Sequence, residues 1–236
     1  MIDALDHLTL AGAAGAYETL LGRRLVDGRL QTRNVGLTFG SGGAALSSMV
    51  FATESLDKAE RLLERRGVAT TRGVTLELAA AASHGVPIAL IERSTAPAPS
   101  PAIVDEAAAI TELDHIVVRT PNPERAIAFY AGRLGLSLRL DRSNPDWGAR
   151  LLFFRCGDLV VEIAHGLKKG VSDAPDHLWG LSWRATDIRS ANARMKAAGV
   201  DVSDVRTGRR PGTEVFSVSS HTEGVPTIVI GGQRHW

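Results

Sequence analysis

The sequence of 236 residues has little cysteine, few aromatic residues and no excess of one charge sign. Cys156 is its only cysteine, which excludes an intramolecular disulfide or a cysteine-rich zinc site and is typical of a reducing compartment. The 27 Lys and Arg residues nearly balance the 26 Asp and Glu residues, so no global field attracts nucleic acid. No uninterrupted apolar run approaches the roughly 18 residues of a membrane span, and the first residues lack the pattern of a secretory signal. We therefore expect a soluble, cytoplasmic protein with no nucleic-acid and no membrane partner.

An internal repeat organises the sequence. Three segments of the first half recur in the same order in the second half: Leu5–Leu10 as Leu113–Val118, Ser55–Val68 as Asp187–Val200, and Ser83–Pro87 as Ser220–Pro226. Self-similarity at this scale indicates duplicated structural units. The repeat predicts an N-terminal domain at residues 1–93 and a C-terminal domain at residues 111–236. Residues 94–110 are rich in Pro and Ala, and we expect a linker that neither packs nor propagates a helix.

The second half is longer than the first, which indicates insertions. Residues 141–150 and 166–176 carry the extra length in the first part of this half, and a smaller insertion lies near residues 203–213. We expect all three segments to be loops. Those at 141–150 and 203–213 are expected to cover a ligand.

Each half contains the pattern of a strand, a helix and further strands, twice over. Asn122 and Pro123 predict a helix start after the strand that begins at Leu113. A glycine-containing turn at 157–158 predicts a hairpin between strands at 151–156 and 159–164. Asp187 predicts the start of the next helix. The whole chain is therefore interpreted as four βαβββ modules.

This arrangement resembles the vicinal oxygen chelate (VOC) superfamily, which includes glyoxalase I, bleomycin-resistance proteins, methylmalonyl-CoA epimerase and extradiol dioxygenases. The resemblance covers almost the entire chain, and it depends on Leu113–Val118, Ala126–Tyr130, Gly157–Glu162 and the two Gly-Val-Pro segments. It implies an α+β fold in which the four modules form two tandem, curled half-barrel sheets. A ligand would lie in the concavity of such a sheet.

The resemblance also implies a metal site at fixed strand positions. His115 and Glu162 stand at two of the four usual ligand positions of the C-terminal half, while Gly180 and Ile228 stand at the other two. His177 is close enough in sequence to replace a missing ligand, so a divalent ion such as Ni, Zn, Fe or Mn would be held by His115, Glu162 and His177. The N-terminal half keeps only His7 of the four ligands, with Thr38, Ser48 and Ala89 at the other positions, and we expect no metal there.

Two other interpretations of His115 and Glu162 stay open. The two side chains can form a hydrogen-bonded pair that only satisfies a buried carboxylate. Alternatively, they form a metal-free site in which Glu162 accepts a proton and His115 orients it, so that both residues are catalytic. In each case strand alternation directs both toward the same cavity.

Five further residues are candidates for contact with a substrate. The candidates are large aromatic or cationic side chains in the C-terminal half: Arg119, Trp147, Trp179, Trp183 and Arg210. Arg119 lies on the same strand face as His115 and is suited to an acidic substrate. The tryptophans can instead be ordinary core residues, and the basic turn at 206–213 can be a solvated loop.

Two functions follow from the resemblance. The first is a metal-assisted lyase or isomerase with a small-molecule cavity in the C-terminal half. A dioxygenase is disfavoured because only His115 remains of the His, His and Glu ligands that such enzymes use. The second is a metal-free protein that binds and sequesters a small molecule. The resemblance is also compatible with a homodimer, because modules of this family pair within or between chains.

Overall fold

The computed structural model describes residues 2–41, 43–93 and 95–233 and contains two mixed β-sheets. The first sheet has the strand order β2-β3-β1-β4-β7-β6-β5. Its elements, with two helices, are β1 (Ala4–Ala11), α1 (Ala14–Leu21), β2 (Arg29–Gln31), β3 (Gly36–Gly40), β4 (Leu46–Thr53), α2 (Leu56–Arg65), β5 (Thr70–Arg72), β6 (Leu76–Leu78) and β7 (Ile88–Glu92).

The second sheet has the strand order β13-β14-β15-β12-β8-β11-β10-β9. Its elements are β8 (Ile110–Arg119), α3 (Pro123–Ile127), β9 (Ser137–Asn144), β10 (Ala149–Cys156), β11 (Leu159–Gly166), β12 (His177–Ala185), α4 (Ile188–Ala197), β13 (Arg206–Thr207), β14 (Thr213–Val218) and β15 (Thr227–Gly232). The α+β fold predicted from the sequence is confirmed, and neither sheet closes into a barrel among the described strands.

Each module brings its first and last strands together. Strand β4 pairs in parallel with β7, and β12 pairs in parallel with β15. The hairpins between them are antiparallel, as in β10 with β11 and β14 with β15. Parallel pairing requires a crossover connection, which the helix of each module supplies.

The chain divides into two compact, discontinuous units. Unit 1 contains the described residues of 1–8, 47–96 and 116–179, and unit 2 contains those of 9–46, 97–115 and 180–236. The core of unit 1 includes Phe51, Leu63, Phe129, Phe154 and Ile163, and that of unit 2 includes Leu10, Tyr17, Trp183, Met195 and Phe216. The domain boundaries predicted between residues 93 and 111 stay a prediction.

The local signals at helix starts and tight turns are confirmed. The Asn122 side chain accepts a hydrogen bond from the Arg125 amide, with Pro123 in the first turn, and Asp187 accepts from the amides of Arg189 and Ser190. Helix α3 continues as a π-helical turn at Ala128–Arg133. The hairpin between β10 and β11 pairs Cys156 with Leu159.

The prediction of a loop at residues 141–150 is wrong. Strand β9 extends to Asn144 and β10 begins at Ala149, so the two strands form a hairpin. Strand β9 lies at the edge of its sheet, where charged side chains are tolerated and prevent pairing with another chain. The segment 166–176 also contains a short helical turn at Leu167–Lys169, and residues 206–207 of the third predicted loop form β13.

The expectation that the Pro/Ala-rich linker cannot pack is also wrong. Ser100 is buried, its amide donates to the carbonyl of Gln31 at 2.8 Å, and its hydroxyl accepts from the Gln31 amide at 2.9 Å. Ala102 forms a β-bridge with Arg23. Proline prevents a helix but leaves an extended segment able to pair through its other residues. The first linker residue, Ser94, lies outside the described residues.

No helix in the described ranges is both long enough and apolar enough to cross a lipid bilayer.

Candidate ligand-binding site

The strands of the second sheet that lie in unit 1, which are β9, β10, β11 and the end of β8, carry a mixture of charged and apolar side chains on one face. Helix α3 packs against β10 and β11 on the opposite face, where Leu152 and Phe154 are completely buried. Strand residues alternate between faces, and on the first face the side chains are half-buried or exposed except that of Val117, which is buried. We call this surface the open face, and its members are Val117, Arg119, Leu140, Arg142, Leu151, Phe153, Glu162 and Ala164.

Strand register arranges these side chains in two rows across the sheet. The Thr120 amide donates to the Ala164 carbonyl at 3.1 Å, which aligns Arg119 with Ala164. Ala164 pairs with Leu151, and Leu151 pairs with Arg142. The first row therefore runs Arg119, Ala164, Leu151, Arg142.

The second row runs Val117, Glu162, Phe153, Leu140, because Glu162 pairs with Phe153 and Phe153 pairs with Leu140. Glu162 is half-buried in this row between apolar neighbours. His165, three residues later, is buried on the opposite face, and its ring nitrogen lies 3.1 Å from the Thr120 carbonyl oxygen. The carboxylate of Glu162 is thus the acidic group of an otherwise apolar row.

Arg119 stacks its guanidinium on the ring of Trp179, with 4.1 Å between the central carbon and the ring centroid. Asp176 connects the end of β8 to the start of β12, because it lies directly before β12 and accepts a hydrogen bond from the Thr120 hydroxyl at 2.7 Å. It also accepts a hydrogen bond from Arg125 of α3 at 2.7 Å. Arg119 is exposed and has no carboxylate partner among the described residues. A guanidinium stacked in this way keeps its N–H donors at the ring edge available for a carboxylate or phosphate.

Arg142 repeats this arrangement at the other end of the same row. Its guanidinium carbon lies 5.2 Å from the ring centroid of Trp147. The Asn144 side chain accepts hydrogen bonds from the amides of Asp146 and Trp147 and so orders the turn that carries the indole. The sequence interpretation missed Arg142 because it placed the residue in a loop. Strand alternation of Leu138 and Leu140 with charged residues was the available signal.

His115 is oriented by a chain of hydrogen bonds within unit 2 that runs from Arg184 through Asp114 to His115, which we call the relay. Its Nδ1 lies 2.9 Å from the Asp114 carboxylate, and Arg184 donates to the same carboxylate at 3.0 and 2.8 Å. Burial raises the pKa of Asp114, but the hydrogen bond from His115 and the charge of Arg184 together outweigh it, so the pKa lies below its ordinary value. Because an ionised carboxylate only accepts, Nδ1 carries the hydrogen in this contact, which fixes the orientation of the imidazole ring.

The first repeat contains a similar relay within unit 1. His7 Nδ1 lies 2.7 Å from the Asp6 carboxylate, and Arg93 lies 3.0 Å from the other oxygen of that carboxylate. Asp6, like Asp114, is buried. The duplicated Asp-His dipeptide therefore has the same local role in both halves.

A family model described as the glyoxalase/bleomycin resistance protein/dioxygenase superfamily matches residues 114–216. These residues include His115, Glu162 and the whole open face. The chain carries a domain of this superfamily.

Comparison with individual proteins agrees with the superfamily domain. Over 100 residues the chain is 27% identical to an ethylmalonyl-CoA/methylmalonyl-CoA epimerase of Cereibacter sphaeroides, covering 39% of this chain and 75% of that protein. The fold is similar to that of BphC, a halotolerant catechol dioxygenase, with a TM-score of 0.73, 15% identity and coverage of 98% of this chain and 87% of that one. It is also similar to a catechol 2,3-dioxygenase, with a TM-score of 0.70, 18% identity and coverage of 99% and 89%.

The divalent metal implied by the superfamily resemblance does not fit the residues present. A side chain at Gly180 would place its Cβ 2.8 Å from the Pro226 carbonyl oxygen, and Ile228 offers no donor atom. His177 lies exposed at the first position of β12. The described residues contain no group of three or more His, Cys, Asp or Glu side chains able to hold an ion. A catalytic metal needs about three protein ligands.

Replacing Gly180 by alanine is expected to destabilise the protein, because the new Cβ meets backbone that cannot move cheaply. The expected loss in the free energy of unfolding is about 1–3 kcal/mol. Chemical denaturation measures it, with Gly15→Ala as the control, since a Cβ at Gly15 meets nothing within 4 Å and alanine favours a helix. Equal stability of Gly180→Ala and the wild type would show that a ligand side chain can be accommodated at this position.

The other residues predicted for the site belong to two different units. Arg119, Trp147, Glu162, His177 and Trp179 belong to unit 1. His115, Trp183 and Arg210 belong to unit 2, so a cavity shared by His115 and Glu162 stays a prediction. Trp183 is completely buried, as expected of the core packing that was its alternative role. In the basic turn, Arg206 donates to the hydroxyls of Ser203 and Ser217.

Proposed function

We propose that the open face binds a small organic acid with an apolar body, and that binding does not require a metal. One observation carries this proposal. Arg119 lies over the ring of Trp179 and has no carboxylate partner in the described part of the chain. An exposed arginine that is ordered by an aromatic ring, beside apolar side chains, is suited to an anion that also has apolar surface.

The neighbouring residues define the rest of the ligand. Ala164 leaves space beside Arg119, and Leu151 and Phe153 offer half-buried apolar surface. Glu162 accepts a hydrogen bond from a hydroxyl or ammonium group of the ligand, since an ionised carboxylate has several acceptor sites. The carboxylate of the ligand would contact the N–H donors of Arg119 as a paired, charge-assisted interaction.

Titration of the purified protein with matched acids and neutral analogues tests this proposal. Tryptophan fluorescence and calorimetry should detect phenylacetate and octanoate, with the corresponding amides binding about 10- to 100-fold more weakly because a charge-assisted hydrogen bond is lost. Addition of a chelator should leave the affinity unchanged. Equal binding of acid and amide, or binding that appears only with an added divalent ion, would overturn the proposal.

A second candidate is a metal-independent isomerase or lyase in which Glu162 takes a proton from the bound acid. The half-buried position of Glu162 on the open face favours it, because a general base must lie within hydrogen-bond reach of the proton that it takes. Exchange of the α-proton of a bound acid in deuterated water measures this activity. The candidate requires exchange in the wild type and its loss in Glu162→Gln; the absence of exchange from every acid that binds would refute it.

A further inference from the structure

We propose that the ligand of the open face carries two acidic groups joined by an apolar body, one held by Arg119 and the other by Arg142. This inference rests on the proposed function and adds a second recognition point to it. The carrying observation is that two arginines, each stacked on its own tryptophan, stand at the two ends of one cross-strand row.

The register sets the separation of the two arginines. Arg119 lies beside Ala164, Ala164 pairs with Leu151, and Leu151 pairs with Arg142. Three strand spacings of about 4.8 Å put the two arginine Cα atoms about 14 Å apart along the sheet. Both side chains are long and lie on the same face, so their guanidinium groups can contact opposite ends of one small molecule.

The first row carries the positive charges of its two arginines and contains no acidic residue. Neither Arg119 nor Arg142 has a carboxylate partner among the residues that the structure describes. Asp141, next to Arg142 in sequence, points to the other face and is held by Arg150 at 2.7 and 2.8 Å. Two cations on one face, with apolar side chains between them, favour a ligand that has a negative charge at each end.

The first row is apolar between the two arginines, and Glu162 is the acidic residue of the second row. Ala164 and Leu151 fill the row between them, and Leu140 and Phe153 lie beside them in the second row. The side chain of Leu140 is 45% exposed, although leucine is usually buried. An apolar chain or ring laid over these residues would cover them and place its ends at the two stacked arginines.

A series of straight-chain dicarboxylates from four to twelve carbons, compared with monocarboxylates of equal length, tests the inference by calorimetry. Binding should pass through an optimum length, at which the diacid binds about tenfold or more tightly than the monoacid. Arg142→Met should remove this gain, so that the diacid and the monoacid of equal length bind the variant with similar affinity. Arg61→Met, which removes an exposed arginine from α2, is the control and should leave both affinities unchanged.

The outcomes separate this inference from the proposed function. Monoacids that bind as tightly as diacids at every length would refute the second acidic group and leave the proposed function standing. An equal loss of monoacid and diacid affinity in Arg142→Met would also refute it. If no monoacid binds the wild type, the proposed function itself fails.

Discussion

Replacing Asp114 by asparagine is expected to lower the free energy of unfolding by about 3 kcal/mol, because it leaves a buried arginine without its main counter-charge. Asp114 and Arg184 are 1% and 9% exposed, and Arg184 Nη2 lies 2.8 Å from the carboxylate. Glu112 lies 3.8 Å from Arg184 and compensates only in part. Asparagine has the shape of aspartate, so the loss measures charge rather than packing.

Urea denaturation of Asp114→Asn measures this effect, and Asp141→Asn provides a matched control. Asp141 forms a similar double contact with Arg150, but it is 37% exposed. An exposed ion pair contributes less than about 1 kcal/mol, so the control should be close to the wild type. Equal losses in the two variants would contradict the conclusion that burial makes the relay important.

Replacing Arg119 by methionine is expected to reduce the affinity for a bound organic acid about 10- to 100-fold, since a charge-assisted hydrogen bond contributes about 1.5–3 kcal/mol. Methionine keeps apolar contact with Trp179 and removes only the charge and the donors. Trp179→Ala should cause a smaller loss, because the guanidinium remains but is no longer ordered by stacking at 4.1 Å. Calorimetric titration with octanoate checks both variants.

The affinity for a neutral amide distinguishes recognition of charge from general damage. Arg119→Met should bind the amide as the wild type does, and Arg61→Met should bind the acid as the wild type does. Full retention of acid binding by Arg119→Met would show that the anion is recognised elsewhere. Denaturation of each variant shows whether the fold is intact.

Elements with local signals could be predicted from the sequence. Asn122 with Pro123 marks the start of α3, Asp187 marks the start of α4, and the turn at 157–158 joins β10 to β11. Each depends on residues only a few positions apart, whose hydrogen bonds form within one turn of chain. The internal repeat then indicated that the same local elements occur in both halves, which predicted the fold of the whole chain.

The open face could be predicted only in part. Arg119 and Trp179 were each identified as candidates, but their contact joins residues on two different strands and leaves no local pattern. Arg142 was missed because it was placed in a loop: the alternation of Leu138 and Leu140 with charged residues in edge strand β9 does not continue past Leu140.

The relay around Asp114 was also outside the reach of sequence reasoning. Asp114 was overlooked beside His115, and its partner Arg184 is 70 positions away. A buried carboxylate requires a partner, but the sequence does not show which of the 27 basic residues supplies it. The three-dimensional pairing of strands decides that choice.

The two Asp-His relays draw their arginines from different places in the repeat. Arg93 follows β7 in the first half, whereas Arg184 lies within β12 in the second. In the alignment of the halves, Ala52 corresponds to Arg184 and Gly232 to Arg93. The Arg184 guanidinium donates to the Gly232 carbonyl at 2.7 Å. Its charged end therefore lies at the position that corresponds to Arg93 in the first half.

After duplication, each half has therefore kept one large cation and one small residue at this pair of positions, in opposite order. A chimaera that joined β4 of the first half to β15 of the second would inherit both small residues and leave its buried aspartate unneutralised. The reciprocal chimaera would inherit both arginines around one acid. Recombination between the halves is thus limited by charge.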